Sequence, residues 1–155
     1  MSRRKKNYKK NIEPDSRFNS VLVSKVINSI MERGKKTAAE RIVYTSFDII
    51  HDKTKKGGLN VFEQAIKNVS PVVELKSRRV GGANYQIPIP VLGERRTTLA
   101  VRWIKTATQA KKGRSMAEKL AEELIDASNN TGSAIKKKDD VRRMAEANKA
   151  FAHFA

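Results

Sequence analysis

From Val21 to Met31 the apolar residues Leu22, Val23, Val26, Ile27, Ile30 and Met31 share one broad face at helical spacing, with Ser24, Lys25 and Asn28 opposite. The spacing predicts a helix, with Gly34 as its C-cap. Thr37 and Glu40 then have capping-box spacing ahead of Ala39, Ile42, Val43, Phe47 and Ile50, which predicts a second, longer helix ending at the Lys53 to Gly58 break. A third helix carries Phe62, Ile66 and Val69, with Asn60 as the expected N-cap and Pro71 as the stop.

The period then changes. Val73, Leu75 and Ser77 alternate with Glu74, Lys76 and Arg78, and beyond Gly81-Gly82 the residues Tyr85, Ile87, Ile89 and Val91 alternate with Asn84, Gln86, Pro88 and Pro90. This is the signature of a β-hairpin, over about residues 72–91. Pro88 and Pro90 lack amides on the same side of the strand, so that side must be an open edge. The hairpin is therefore expected as a protruding two-stranded ribbon with Lys76, Arg78 and Arg79 on or near its tip.

Helical periodicity returns near Glu94. Arg95, Thr98, Arg102, Lys105, Gln109 and Lys112 cluster on one face, and Leu99, Ala100, Trp103, Ile104, Ala107 and Ala110 on the other, so the helix pairs a core side with a cationic stripe. No acid lies between Arg95 and Ala117. Ser115 and Glu118 form a second capping box, opening a helix with Met116, Leu120, Ala121, Leu124 and Ile125 inward and Glu118, Glu122, Glu123 and Asp126 expected outward. After Asn129-Asn130 and Gly132, a last helix carries Lys136, Lys137 and Lys138, then Val141, Met144 and Ala145 interleaved with Arg142 and Arg143. The fold class is mainly α: one domain of about six helices over residues 16–155, a protruding two-stranded hairpin, and a basic flexible N-terminal arm over residues 1–15.

Charge gives this layout a direction. The 155 residues carry 33 Lys and Arg against 16 Asp and Glu, a formal charge of +17, so much of the surface is positive and self-repelling without a polyanion. The arm alone holds Arg3, Arg4, Lys5 and Lys10 without one acid before Ile12. Zero Cys excludes disulfides, thiolate nucleophiles and cysteine-ligated zinc and suits a reducing compartment, and two His leave little for a zinc site or a His-based dyad. No metal or cofactor is expected. No apolar run approaches the roughly 18 residues of a membrane span, and the basic start lacks the apolar stretch of a signal peptide, so a cytoplasmic protein with no membrane partner is expected.

Catalytic constellations are missing. Gly81-Gly82 lacks the Lys-Ser/Thr of a phosphate-cradling loop, and Asp139-Asp140 and Glu122-Glu123 are adjacent pairs that diverge on a helix. The chain reads as a binding protein rather than an enzyme. Arm, ribbon and cationic stripe are three devices for reaching phosphate over a wide footprint, completed by Lys112 and Arg114 in the turn before the fifth helix. An architectural DNA binder that uses a basic ribbon is the alternative to an RNA binder at this point.

Four stretches go further. Val26-Ile27-Asn28-Ser29-Ile30-Met31 with Gly34-Lys35-Lys36, the run from Arg78 to Pro88, the run from Gly113 to Leu124, and the run from Met144 to His153 closely resemble the bacterial small-subunit ribosomal protein seven family, in the same order and over nearly the whole chain. The resemblance implies a structural protein that binds 16S rRNA directly at its 3′ major domain, nucleates assembly of the head, and lies at the subunit interface near the exit-site tRNA and the mRNA path. It implies small-subunit proteins nine and eleven as neighbours and no functional homo-oligomer. On this chain it assigns rRNA contacts to Arg3, Arg4, Lys5, Lys10, Lys25, Lys35, Lys36, Arg95, Arg102, Lys136 and Arg142. Lys76, Lys105, Lys112, Arg114 and Lys137, read from their cationic placement, complete the candidate set. Arg78, Arg79, Gly81, Gly82 and Asn84 would form the part of the ribbon nearest tRNA and mRNA.

Overall fold

The computed structural model of the chain describes residues 12–154. Six helices and one hairpin follow in the order α1 (Val21–Ile30), α2 (Lys36–Thr54), α3 (Gly58–Val69), β1 (Val73–Val80), β2 (Ala83–Pro90), α4 (Gly93–Ala110), α5 (Met116–Ser128) and α6 (Ser133–Ala147), closed by a short 3₁₀ helix at Lys149–Phe154. The expected fold class holds for these residues; the candidates Arg3, Arg4, Lys5 and Lys10 lie outside them.

Helix α5 is the axis of the bundle and packs against α2, α3 and α4. Its sequence explains this position, because Leu120, Ala121, Leu124 and Ala127 are all buried, with alanines letting neighbouring helices approach closely. Phe62, Ile27 and Ile50 fill the space around it, each removing about 1.5–3 kcal/mol worth of apolar surface from water. Trp103 packs partly buried against this core, as its apolar face predicts.

The capping signals divide. Ser115 is the N-cap of α5, its side chain accepting the Glu118 N–H at 3.3 Å, as the spacing predicts. Thr37 is not a cap: left-handed Arg33 and Gly34 turn the chain early, so α2 starts at Lys36 and Thr37 lies in its first turn. For the same reason Gly34 belongs to the loop, and Met31 is the C-cap of α1. Nor does Asn60 cap α3, which begins at Gly58 with Gly57 as N-cap. Close packing puts it there: a Cβ on Gly58 would lie 2.7 Å from both the Cβ and the carbonyl oxygen of Phe47.

The hairpin is antiparallel, with Leu75 opposite Pro88 and Val80 opposite Ala83. Gly81 and Gly82 both take positive φ, 59° and 91°, which a two-residue turn of this hand requires. Among the described residues β1 and β2 form a two-stranded sheet, leaving the Pro88 and Pro90 side open. The register crosses the two apolar runs, pairing Ile87 with Lys76 and Tyr85 with Arg78. Cross-strand partners share a face, so each face of the ribbon is part apolar and part polar. Ile87 is buried on one face, where Tyr85 meets Phe151 with ring centroids 4.8 Å apart. The ribbon thus rests on α6 and on the C-terminal 3₁₀ helix, which reaches up to the Tyr85–Arg78 pair, while Arg78, Arg79, Gly81, Gly82 and Asn84 around the turn are exposed.

Candidate nucleic-acid interface

The acids take the first step in shaping the surface. Glu123, expected on the outer face of α5, is fully buried: its Oε1 accepts the Ala134 N–H at 2.8 Å and its Oε2 lies 3.1 Å from the Lys111 ammonium. Asp126 lies 3.3 Å and Glu122 3.8 Å from the same ammonium. The periodicity missed this because α6 folds back over the C-terminal end of α5 and needs an acceptor for its first turn. Burial acts to lower the pKa of Lys111, but hydrogen bonds and charge attraction from Glu123 and Asp126 outweigh it, and the net direction is upward. Three of the 16 acids thus converge on one cation at the edge of the bundle, Glu122 pairing also with Arg114.

Three basic regions stand on the described surface. In the first, α1 and α4 form a cleft of about 430 Å³ that brings Lys25, Arg102 and Lys105 together. Lys105 is not a free outward cation: its ammonium donates to the Ser29 carbonyl at 2.6 Å, near the C-terminus of α1 where a positive charge is favoured. Lys25 pairs with Glu94 at 3.2 Å, so exposed Arg102 is the cation of this cleft most open to a phosphate.

The second region is the ribbon. Arg79 faces Asn84 across the strands and Arg78 faces Tyr85, so consecutive arginines leave opposite faces of the tip. At the base, Arg95 reaches from α4 to Glu74 with Nη2 at 2.9 Å and Nε at 3.0 Å from one oxygen, and Lys76 stands 3.9 Å from the other. Arg95 braces the ribbon against α4 while half its side chain stays open. Although α4 holds no acid after Glu94, two of its four cations, Arg95 and Lys105, find partners on other elements.

Lys35 and Lys36 form the third, at the start of α2, whose first turn has neither an acid nor a side-chain cap. Uncapped N–H groups and exposed Lys35 favour an anion together, while Lys36 stands 3.9 Å from Glu40. Lys112, Lys136 and Lys137 are exposed, Arg114 pairs with Glu122 at 3.3 Å, and Arg142 with Glu146 at 3.0 Å. Lys138 differs from its neighbours, donating to the Asn68 carbonyl at 2.7 Å and tying α6 to α3.

One arrangement has no counterpart in the sequence pattern. A groove of about 820 Å³ runs between the end of α3, the ribbon base and α6, and gathers Lys67, Arg96, Lys138, Arg142 and Lys149. Four of these five are absent from the candidates, because they come from three helices and the final turn, 82 residues apart at the extremes. Among the described residues no His, Cys, Asp and Glu group of three or more could hold a metal ion, and no helix is long and apolar enough to cross a membrane.

A match to the family described as ribosomal protein S7p/S5e extends over residues 2–149. The chain belongs to the ribosomal protein S7p/S5e family. Small ribosomal subunit protein uS7 of Thermotoga maritima is 62% identical over 152 residues, 98% of each chain. The uS7 of Chloroflexus aggregans is 58% identical over 92% of this chain and 91% of its own, and that of Desulfatibacillum aliphaticivorans 54% over 99% of both. S7p/S5e proteins are structural ribosomal components rather than enzymes, in accord with a surface built from dispersed cations.

Proposed function

We propose that this S7p/S5e chain is a structural constituent of the small ribosomal subunit, bound to rRNA and to neighbouring ribosomal proteins in the cytoplasm. It binds 16S rRNA directly through the α1–α4 cleft, the start of α2, the exposed face of α6 and the basic block over residues 3–10, and so nucleates folding of the 3′ major domain into the head. Its ribbon tip lies at the subunit interface near the exit-site tRNA and the mRNA path, and small-subunit proteins nine and eleven are its protein neighbours.

The observation that carries this reading is the spread of uncompensated cations. Lys35, Arg102, Lys112, Lys136 and Lys137 stand exposed on several elements, and among the described residues no carboxylate lies within ion-pair distance of any of them. Such a spread suits the fixing of a folded RNA by many phosphates, and few exposed aromatics argue against base stacking as the main mode. Binding of the full chain to isolated 3′ major domain RNA, followed by chemical probing, tests it. Protection confined to one junction of that domain supports the proposal, and equal affinity for duplex DNA at matched salt supports the architectural DNA binder instead.

A further inference from the structure

We infer that the groove beneath the ribbon base is a pocket for an unpaired nucleotide of RNA, distinct from the phosphate contacts on the helix faces. This rests on the proposed RNA-binding role and names what one concave part of the surface would take.

Chemistry and shape both point there. The wall is apolar: Pro71, Val72, Val73 and Pro88 line it, and Val72 is 67% exposed, an uncovered hydrophobe in a strongly cationic setting. The rim is positive, with five Lys or Arg against Glu146 as the only acid of the lining. Glu146 is engaged by Arg142 at 3.0 Å. Among the described residues no carboxylate stands within ion-pair distance of Lys67, Arg96 or Lys149, so three cations face the groove without a counter-charge.

An apolar wall beneath a cationic rim fits a nucleobase with its phosphate better than any single-character ligand does. A duplex would present only its outer phosphates and sugar edges and leave Val72 in water, whereas a splayed base covers it. An acidic protein segment would also satisfy the rim, but a nucleotide brings a flat base and its phosphate in one unit, and a chain with 33 Lys and Arg against 16 acids is matched to a polyanion. The walls are also held for occupancy: Lys138 fixes α6 to the Asn68 carbonyl at 2.7 Å, the Val91 N–H donates to the Val72 carbonyl at 2.9 Å, and the Asn68 amide donates to the Ala127 and Ser128 carbonyls at 3.0 and 2.9 Å. Preorganised walls lower the ordering cost of binding.

The chain has no cysteine, so Val72→Cys gives a single attachment point for a hydroxyl-radical-generating iron chelate. The derivatised full chain is bound to full-length 16S rRNA, complex formation is confirmed by filter binding, and cleavage is mapped. The pocket predicts strong cleavage centred on one run of unpaired nucleotides, reduced at least fivefold when Arg96→Glu and Lys149→Glu are added and binding is driven to saturation. Cleavage spread over paired strands, or none above background in a formed complex, overturns the pocket, and the second result is the one expected if a protein neighbour fills the groove. Failure of the unmodified chain to bind 16S rRNA at all would instead sink the proposed function.

Discussion

The carboxylate of Glu123 in α5 accepts the backbone N–H of Ala134 in the first turn of α6 at 2.8 Å, with neither residue exposed. One buried acid thus closes a helix end that lacks its own cap, since Gly132 at the N-cap position offers no side chain. Glu123→Ala leaves that amide unsatisfied, removes the closest partner of Lys111 and opens a void. Chemical denaturation should show a loss of about 3 kcal/mol. Glu123→Gln keeps an acceptor for Ala134 and should lose less than half as much.

The alkaline limb of stability follows from two groups. Tyr44 has its pKa raised above 10.0, chiefly by desolvation and by the 2.7 Å hydrogen bond to Asp15, and Lys111 has its pKa raised above 10.5 against its own desolvation by Glu123 and Asp126. A raised folded-state pKa means a contribution fully present below the ordinary value and lost as pH rises through the higher one. Both contributions are therefore intact at neutral pH and disappear above about pH 10. Thermal melts across pH 7–11 should be flat as far as these groups are concerned until that point. Lys111→Met should weaken the fall beyond it.

Gly58 lies where a Cβ would meet the Cβ and carbonyl oxygen of Phe47 at 2.7 Å. Backbone and a packed ring cannot yield cheaply, so Gly58→Ala should cost roughly 2 kcal/mol despite alanine's better helix propensity. Equilibrium unfolding of that single variant checks the α2–α3 contact. No change would mean that the two helices separate easily.

The ribbon tip and the helix faces should come apart functionally. Replacing Lys76, Arg78 and Arg79 by Ala should disturb exit-site tRNA retention in reconstituted subunits more than it weakens rRNA affinity. Filter binding and tRNA occupancy measured on the same variant separate the two. An equal loss of rRNA affinity would make the ribbon an anchor.

Much of this was legible along the chain, and the failures share a cause. Hydrophobic spacing located all six helices because each buries one face, and Ser115 announced a start that depends only on its own next three residues. Thr37 and Asn60 carried an equally good local signal, yet a left-handed turn in one case and contact with Phe47 in the other began the helix earlier. Lys105, Lys138 and Arg95 read as surface cations, but the Ser29 carbonyl, the Asn68 carbonyl and Glu74 that hold them lie 76, 70 and 21 residues away. Spacing within one helix carries no information about such partners. The groove joining Lys67, Arg96 and Lys149 was hidden for the same reason.

The salt dependence of rRNA binding separates dispersed phosphate neutralisation from base reading, because only the first releases many counterions. For roughly ten phosphate contacts, the logarithm of the affinity of the full chain for 16S rRNA should fall against the logarithm of salt with a slope of about −7 to −9. Removing the exposed cations Arg102, Lys112, Lys136 and Lys137 should flatten it by about 3 to 4. An affinity that barely changes between low and moderate salt would contradict the account.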